Sequence, residues 1–392
     1  MLPLEGITVV SLEQAVAAPF ASRQLADLGA RVIKIERPVT GDFARGYDKT
    51  VKGMSSHFVW INRSKESITL DLKSDKSKEI MDRLLSKADV FIQNLAPGAI
   101  DRLGYSPKTL REKYPQLIIC GISGYGTYGP YTNKKAYDLL IQCEAGLVSI
   151  TGTEDTPSKA GISIADIAAG MYAYTGILTA LLTREKTGQG TIIEISMLEA
   201  LAEWMGYPMY YANYGGVEPK RTGASHATIF PYGSFKTGDG KMVFFAIQNE
   251  REWSIFCKEI LQQEKLSTDP RFNSNSNRLE NKQELTGIIH SVFSSMTAQE
   301  VIEKLDWYNI AHASLNSIKE FIEHPQLKAR NRWTEVDSPV GKIKALIPPV
   351  TMKDIEFVMK PIPDVGEHSK TILKELGFSE EEILDFTFAG VF

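Results

Sequence analysis

Residues 7–36 read ITVVSLEQAVAAPFASRQLADLGARVIKIE. The apolar run at 7–12 predicts a buried strand, residues 18–29 predict a helix that ends at Gly29, and residues 31–36 predict a second strand. Two strands joined by a helix of this length are the repeating unit of a parallel sheet covered by helices. This stretch therefore predicts an α/β fold.

The same alternation continues further along the chain. Residues 67–72 (SITLDL), 89–95 (DVFIQNL) and 117–123 (LIICGIS) predict three more strands. Between the first two of these, residues 74–88 predict a helix with a serine at its N-cap. Strands and helices that alternate at this spacing indicate a parallel sheet with helices on both faces.

The pattern changes near residue 200, which suggests a second domain. We expect a large Rossmann-like parallel-sheet domain from residues 1–200 and 326–392, and a linker at 201–224 that is rich in aromatic residues and methionine. Residues 225–325 predict a smaller inserted α+β domain. Within it, residues 228–247 predict a β-hairpin with Gly-Asp-Gly at the turn.

The composition excludes several classes of protein. The chain has 392 residues, of which 43% are hydrophobic and 23% charged, with a formal net charge of -4. That balance argues against general binding to nucleic acid or anionic membranes. Three scattered cysteines and the lack of a signal-peptide pattern favour a cytoplasmic protein without a metal site. Residues 163–182 are strongly apolar, but Asp166 within them favours a buried helix over a membrane span.

Residues 124–129, GYGTYG, match the G-x-G-x-x-G dinucleotide fingerprint. The fingerprint requires a helix immediately afterwards, whereas Pro130 and a polar segment follow here. It also lies late in the chain. We therefore expect no nicotinamide or flavin site. Gly124 and Gly126 are instead expected to let the backbone pass close to another ligand.

Asp166 lies at the front of a predicted long helix that ends near Gly188. Small residues recur on one face of this helix, at Gly170 and Ala173 and again at later turns, so we expect a close packing partner there. An aspartate at a helix N-terminus is usually an N-cap that accepts hydrogen bonds from free N–H groups. The alternative is a carboxylate nucleophile that attacks an acyl group. The residue pattern leaves both interpretations open.

Several long segments together resemble the class III coenzyme A transferases, the family of formyl-CoA and carnitine CoA transferases, with α-methylacyl-CoA racemase as a cousin. The segments are LEQAVAAPFASRQLADLGARVIKIERPVTGD, NRSKESITLDLK, DVFIQNLAPGAIDRLG, SGYGTYGP, ADIAAGMYAYTGILTALLTREKTGQGTIIEISMLEAL and PIPDVGEHSKTILKELGFSEEEI. They run from the first predicted strand almost to the C-terminus. The resemblance implies an interlocked homodimer, with the active site between one chain's large domain and the other's small domain.

The resemblance also implies roles for particular residues. Asp166 would attack an acyl-CoA thioester, forming an anhydride and then an aspartyl-CoA thioester, with coenzyme A thioesters as substrates and no permanently bound cofactor. The implied coenzyme A contacts are Gln14, Ala15, Ala17, Arg37, Leu70, Lys73, Asn94, Leu95, Arg102 and Lys135. The more ordinary alternatives are a polar turn residue for Gln14 and solvated surface charges for Lys73 and Arg102.

The racemase cousin needs a histidine before the aspartate of an HD pair, whereas this chain has Tyr137 followed by Asp138. Tyrosine side chains have a pKa of about 10, a poor match for proton abstraction near neutral pH. We therefore expect CoA transfer, with Tyr137 in the acyl pocket or in the core. An acyl-CoA racemase or epimerase is the second hypothesis and a non-catalytic CoA-binding protein the third.

The predicted small domain bears on the acyl substrate. Residues 222–234, TGASHATIFPYGS, lack the glycine run of formyl-CoA transferase, so formate and oxalate are not expected as substrates. His226, Thr228 and Tyr232 are expected to offer hydrogen-bond donors to a carboxylate-bearing acyl group, although His226 is also consistent with an ordinary turn histidine. The resemblance is to members that pass coenzyme A between small dicarboxylates such as succinate, itaconate, mesaconate, malate or glutarate.

Overall fold

The computed structural model describes residues 2–392 of the chain. Internal contacts divide these residues into two units. The larger unit comprises the chain up to Gly146 together with Ala160–Tyr207 and Leu327–Phe392, and the smaller unit comprises Leu147–Lys159 and Pro208–Gln326. The chain therefore passes into the smaller unit twice and returns to the larger unit for its C-terminal segment.

A six-stranded parallel sheet forms the centre of the larger unit. Its strands are β1 (Thr8–Leu12), β2 (Arg31–Glu36), β3 (Lys65–Thr69), β4 (Val90–Gln93), β5 (Ile118–Ser123) and β6 (Ile192–Ser196). The strands that follow along the chain belong to other sheets and are β7 (Tyr232–Lys236), β8 (Met242–Ala246), β9 (His312–Ser314), β10 (Trp333–Val336) and β11 (Ile343–Leu346). The sheet order is β3-β2-β1-β4-β5-β6, and each neighbouring pair is parallel. This confirms the predicted mixed α/β class. The order reverses between β1 and β4, which leaves a crevice beyond their carboxyl ends.

The helices lie between or after these strands along the chain, and those of the larger unit cover the parallel sheet. They are α1 (Ala17–Asp27), α2 (Ser56–Ile61), α3 (Asp75–Ser86), α4 (Ala99–Arg102), α5 (Pro107–Lys113), α6 (Asp138–Glu144), α7 (Leu147–Ile150), α8 (Ile164–Thr187), α9 (Met197–Trp204), α10 (Gly206–Gly215), α11 (Glu250–Ile255), α12 (Asn275–Glu280), α13 (Lys282–Phe293), α14 (Ala298–Trp307), α15 (Ile318–Ile322), α16 (Pro325–Ala329), α17 (Ser369–Glu375) and α18 (Glu380–Phe388). Short 3-10 segments occupy Phe43–Gly46 and Glu264–Ser267, and a π-helical turn at Phe256–Ile260 extends α11.

The first strand and helix show why the sequence folds in this way. Strand β1 lies between β2 and β4, and Val10 is opposite Ile33 on one side and Phe91 on the other. Because a central parallel strand is covered on both faces, its apolar run is continuous rather than alternating. Helix α1 packs against α8, where a Cβ added to Gly170 would lie 2.7 Å from the Ala17 carbonyl oxygen. The small residues predicted on one face of α8 therefore mark a close helix–helix contact.

The C-terminal segment belongs to the larger unit. Helices α17 and α18 bury Ile372, Leu373 and Phe386 in the core that β1–β5 share with α3 and α5. Two hydrogen bonds attach the same segment to β3: the Ser67 N–H donates to the side-chain Nδ1 of His368 at 3.2 Å, and the His368 N–H donates to the Ser67 carbonyl at 2.9 Å. Residues from both ends of the chain thus build one core.

The smaller unit contains a separate antiparallel sheet. Strands β7 and β8 form the predicted hairpin around Gly238-Asp239-Gly240, and β9 pairs with β8. The Thr237 hydroxyl donates to Asp239 Oδ1 at 2.6 Å and fixes the turn. Phe235 and Phe245, with ring centroids 4.7 Å apart, lie at the centre of its apolar core.

One helix among residues 2–392, Ile164–Thr187, is long and apolar enough to cross a membrane by length and composition. It packs against α1, α6, α9 and two strands of the sheet. A core helix of a soluble protein passes the same criterion, so this finding is weak evidence for a membrane span.

Candidate active site

The crevice beyond β1 and β4 brings together two side chains from distant parts of the sequence. Gln14 follows β1 and Asn94 follows β4. The Gln14 N–H donates to Asn94 Oδ1 at 2.9 Å, and Asn94 Nδ2 donates to the Gln14 carbonyl at 2.8 Å. This reciprocal pair joins the two loops at the position where open α/β sheets bind ligands.

Arg37 joins this pair from the end of β2. Its Nη2 donates to Gln14 Oε1 at 2.9 Å, and its guanidinium carbon lies 5.9 Å from the centroid of the Phe43 ring. Arg37 is exposed, so its planar cation is available to a phosphate or a flat ring. Three of the residues predicted at a nucleotide site, Gln14, Arg37 and Asn94, are therefore in direct contact.

Ala15 has an unusual backbone in the same turn. Its φ of 61° lies in the left-handed region, and its N–H donates to Asp42 Oδ1 at 3.1 Å. Asp42 also accepts from Lys34 Nζ at 2.8 Å, and both side chains are fully buried. Ala17 begins α1 and is itself buried. The carboxylate of Asp42 thus holds the first strand-to-helix turn in its strained conformation.

Buried charged side chains lie next to this turn. Glu13 is in ion pairs with Lys65 Nζ at 2.6 Å and with Lys34 Nζ at 3.3 Å. Burial by itself raises the pKa of Glu13, but the charges of Lys65 and Lys34 outweigh it and hold that pKa at about 2. Glu13 is therefore ionised throughout the physiological pH range. Removal of one partner from a buried ion pair of this kind strongly destabilises the folded protein.

The other residues implied at the coenzyme A site are more dispersed. Leu70 is 2% exposed and packs in the core of the larger unit, Leu95 is half-buried, and Lys73, Arg102 and Lys135 are exposed. Among the residues that the structure describes, no hydrogen bond joins these five to the Gln14–Arg37–Asn94 group. The sheet edge places them on neighbouring loops, and their contacts with a ligand stay predictions.

The glycine loop follows β5 at the same edge of the sheet. A Cβ added to Gly124 would lie 2.2 Å from the Ala136 Cβ, so only glycine fits there. Gly126 has a φ of 88°, and its N–H donates to Ser123 Oγ at 3.0 Å. The next helix, α6, begins only at Asp138. The loop therefore lacks the helix N-terminus that a dinucleotide fingerprint places against a pyrophosphate.

Asp166 lies in the first turn of α8, but it is not the N-cap. Ser163 occupies that position, and its side chain forms no capping hydrogen bond. Asp138 of α6 takes the capping role instead: its Oδ1 accepts from the Ala165 N–H at 2.8 Å and from the Asp166 N–H at 3.4 Å. The N-cap interpretation of Asp166 is therefore wrong, because another helix supplies the acceptor.

The Asp166 carboxylate is left free. Among the described residues none donates a hydrogen bond to it, and the side chain is partly buried. Burial, and then the negative charge of Asp138, raise the pKa of Asp166 to about 7. These effects outweigh the helix N-terminus, which favours the ionised form. A carboxylate with this pKa is more basic than an ordinary aspartate and is available for attack on an electrophile.

Two tyrosines lie near this carboxylate. Burial, and then the negative charges of Asp42 and Asp166, raise the pKa of Tyr47 to about 12, and Tyr47 also interacts electrostatically with Tyr137. Tyr137 is the N-cap residue of α6 and is 68% exposed. No motif in the sequence points to Tyr47, to Asp42 or to the capping role of Asp138. No local spacing signals that role, since Asp138 and Asp166 are 28 positions apart.

His226 and Tyr232 lie in the smaller unit. Their rings stack with centroids 5.0 Å apart, and the His226 N–H donates to the Tyr232 carbonyl at 2.9 Å. The Thr228 N–H donates to His226 Nδ1 at 3.2 Å, so this nitrogen already accepts a hydrogen bond within the turn. Both side chains have solvent-accessible surface. Their contact with a substrate stays a prediction.

No group of three or more histidine, cysteine, aspartate or glutamate residues in the described part of the chain is arranged to hold a metal ion. The candidate site instead offers the free Asp166 carboxylate, amide side chains, tyrosines and a guanidinium. This chemistry suits an anionic nucleotide ligand and a nucleophilic carboxylate.

Comparison with known proteins agrees with the sequence resemblance. The family model described as CoA-transferase family III matches residues 4–369. A succinyl-CoA:glutarate CoA-transferase of Mus musculus is 34% identical over 400 residues, which cover 100% of this chain and 90% of the mouse protein. A formyl-CoA:oxalate CoA-transferase of Escherichia coli O6:H1 is 31% identical, with 97% of both chains covered.

A solved structure shows the same fold. The crystal structure of a CAIB/BAIF family protein from Brucella suis superposes with a TM-score of 0.85 at 31% identity, and the match covers 96% of this chain and 99% of the other. The family model and the relatives each span nearly the whole chain. The chain is a member of the class III CoA-transferase family and is a CoA-transferase enzyme.

Proposed function

We propose that this enzyme transfers coenzyme A from succinyl-CoA to a small dicarboxylic acid of the glutarate, itaconate, mesaconate or malate type, with Asp166 as the nucleophile. The observation that carries the proposal is the Asp166 carboxylate, which no hydrogen bond holds among the described residues and whose pKa is about 7. The dicarboxylate acceptor is supported by the mouse relative, which is named as a succinyl-CoA:glutarate CoA-transferase.

The reaction proceeds in four balanced steps. An Asp166 carboxylate oxygen attacks the thioester carbonyl and expels CoA thiolate, leaving a succinyl–aspartyl anhydride. The thiolate attacks the Asp166 carbonyl carbon and releases succinate, which forms the aspartyl-CoA thioester. The acceptor carboxylate then attacks this thioester and expels the thiolate. Finally, the thiolate attacks the acceptor acyl carbon of the second anhydride, which yields the new acyl-CoA and restores the Asp166 carboxylate.

The proposed coenzyme A site lies at the carboxyl edge of the sheet. Gln14, Arg37 and Asn94 would bind the nucleotide part, because their contacts already form one polar surface there. The further proposed contacts are those of Ala15, Ala17, Leu70, Lys73, Leu95, Arg102 and Lys135. Gly124 and Gly126 would let the backbone approach the thioester, and Tyr137, His226 and Tyr232 would contact the acyl group.

The proposal extends to the assembly of the protein. We propose an interlocked homodimer of cytoplasmic chains, each with a large domain of residues 1–200 and 326–392 and a small domain of residues 225–325. Exposed large apolar side chains support an interface: Leu182, Trp204, Tyr207, Tyr210 and Tyr214 are all exposed along α8–α10. Light scattering on the purified protein tests this, and a strictly monomeric active enzyme would contradict it.

A substrate panel tests the activity. The protein is incubated with succinyl-CoA and, separately, glutarate, itaconate, mesaconate, malate, oxalate and formate, and new thioesters are identified by mass spectrometry. We expect a new acyl-CoA with at least one of the four larger dicarboxylates, and free succinate in equal amount. Asp166→Ala should lower the exchange rate by at least about a thousandfold, because it removes the covalent step.

The control is Glu185→Gln, which removes an exposed carboxylate at the other end of α8 and should leave the exchange rate unchanged. No exchange with any acid, combined with α-proton exchange in a branched acyl-CoA, would overturn the transferase proposal in favour of a racemase.

A further inference from the structure

The N-terminus of α8 is capped by a carboxylate from another helix. Asp138, the first residue of α6, accepts hydrogen bonds from the N–H groups of Ala165 and Asp166 through one oxygen, Oδ1. Ser163 holds the N-cap position but its side chain forms no capping hydrogen bond. Two N–H groups of the first turn of α8 are thus satisfied by a side chain from another helix.

Asp138 is itself held on its other side. Its Oδ2 accepts from Gln142 Nε2 at 2.7 Å, one turn along α6. Gln142 is fully buried, and its Oε1 accepts from the Ala160 N–H at 2.9 Å, in the segment that leads into α8. Both Asp138 oxygens therefore have partners, and the chain of hydrogen bonds ties α6 to both the start of α8 and the segment before it.

This arrangement decides what the Asp166 side chain does. In an ordinary helix an aspartate in the first turn accepts from free N–H groups, which lowers its nucleophilicity. Here Asp138 already occupies the Ala165 and Asp166 N–H groups, and the Asp166 oxygens accept no hydrogen bond from any described residue. Asp138 thus caps the helix, and the Asp166 carboxylate is left without a hydrogen-bond donor among the described residues.

Charged and titratable groups lie near Asp166 and also on the elements that pack further along α8. Asp138 lies on α6, Tyr137 precedes it, and Tyr47 lies on the loop after β2. On α1, Arg23 and Asp27 pair with each other and influence Tyr174, further along α8. On α9, Glu199 and Glu203 line a cavity of about 270 Å³ with Tyr172 and Glu194. Among these groups, Asp138 is the one whose charge raises the pKa of Asp166.

We propose that Asp138 is a positioning residue for CoA transfer: it satisfies the N-terminal donors of α8 and, through its negative charge, keeps the free Asp166 carboxylate basic enough to attack a thioester. This inference rests on the proposed role of Asp166 as nucleophile. Asp138 itself touches no reacting atom. The charge of Asp138 and its hydrogen bonds contribute separately to the reactivity of Asp166, and a substitution can remove the charge while an acceptor oxygen is retained.

Two substitutions separate the contributions. Asp138→Asn removes the charge but retains an oxygen that can accept from the α8 N–H groups. Asp138→Glu retains the charge at a slightly different position. If Asp138 were only a structural cap, both variants would lose activity without a change in the pH at which Asp166 reacts. If the charge matters, only the asparagine variant lowers that pH.

The experiment follows one turnover without acceptor. Wild-type enzyme and each variant are mixed with succinyl-CoA at a series of pH values, quenched in acid, and the protein-bound CoA is measured by intact-protein mass spectrometry. For the wild type we expect the rate to rise with pH through a midpoint of about 7, the pKa of Asp166. For Asp138→Asn the midpoint should fall by about one pH unit or more, with a lower plateau rate. Asp138→Glu should keep the midpoint within roughly half a unit of the wild type.

The outcomes separate this proposal from the one on which it rests. If wild-type protein forms no adduct on Asp166 at any pH, the proposed function fails. If the wild type forms the adduct but Asp138→Asn has the wild-type midpoint, the positioning proposal is overturned. Glu185→Gln controls for the loss of one charge on the same molecule, and thermal melting of each variant checks that it is folded. If the asparagine variant is poorly folded, Asp138→Ser, which also lacks the charge and keeps an acceptor oxygen, takes its place, and a wild-type midpoint there overturns the proposal.

Discussion

Asp166 illustrates how the surroundings of one residue change its chemistry. A helix N-terminus alone favours an ionised carboxylate and a low pKa. Burial and the Asp138 charge reverse that expectation and raise the pKa of Asp166 to about 7. The ionised Asp166 carboxylate therefore lowers the stability of the folded protein, as is common for residues at functional sites.

A pH-dependent stability follows from this shift. Because the folded pKa of about 7 lies above the ordinary value of 3.8, folding favours protonated Asp166. The stability that this carboxyl contributes is fully present below pH 3.8 and is lost as the pH rises through about 7. Asp166→Asn stays neutral, so it should melt above the wild type by roughly 2 °C or more at about pH 8. Near pH 4 the difference should be small.

Differential scanning calorimetry at both pH values measures the effect. Glu185→Gln, at the opposite end of α8, should show the same difference from wild type at both. An asparagine variant that melts below the wild type at the higher pH would mean that favourable contacts stabilise the ionised Asp166 carboxylate, which contradicts its raised pKa.

Residue-level roles were only partly predictable from sequence. The long helix behind Asp166 and the family resemblance indicated this residue, and the structure shows its side chain free of hydrogen bonds from the described residues. Asp138 could not be predicted as the cap, because its contact with α8 depends on how two separate helices pack. The side chain of Leu70 packs in the core, and its expected contact with a ligand stays a prediction.

At the scale of elements, the alternation of strands and helices was predictable because each strand of a covered parallel sheet is a short apolar run. Boundaries were less accurate. The strand predicted at 67–72 is β3, Lys65–Thr69. Leu70 and Leu72 continue the apolar pattern beyond the last ladder pair because they pack in the core after the strand has ended.

Contact between α1 and α8 provides a test at this scale. A Cβ at Gly170 would lie 2.7 Å from the Ala17 carbonyl oxygen, whereas a Cβ at Gly176 on the same helix would lie 3.4 Å from Ile193 Cγ2. Gly170→Ala should therefore destabilise the protein by about 1–3 kcal/mol through overpacking. Gly176→Ala should be neutral or stabilising by up to about 1 kcal/mol, because alanine is the better helix former.

Urea unfolding of the two variants checks this prediction, since both replace glycine with alanine in one helix. Equal stabilisation by both substitutions would show that α1 and α8 are not in the close contact described.

At the scale of the whole molecule, the topology of the sheet explains how the site is assembled. The loops after β1, β2, β4 and β5 carry Gln14, Arg37, Asn94 and Gly124, and a parallel sheet brings all four loops to one edge. The loops gather there because the strands of a parallel sheet all end on the same side. The sequence could not predict the individual contacts, such as the Gln14–Asn94 pair, which depend on the strand order.

The central claim is that Asp166 forms covalent bonds during transfer, and labelled oxygen tests it most directly. The enzyme turns over succinyl-CoA with glutarate whose carboxylate oxygens are heavy isotopes, in unlabelled water. In the proposed reaction, the acceptor oxygen that attacks the aspartyl-CoA thioester stays on Asp166 when the second anhydride is cleaved. Mass spectrometry of the peptide that contains Asp166 should therefore show heavy oxygen on that side chain. New glutaryl-CoA together with an unlabelled Asp166 would contradict the account.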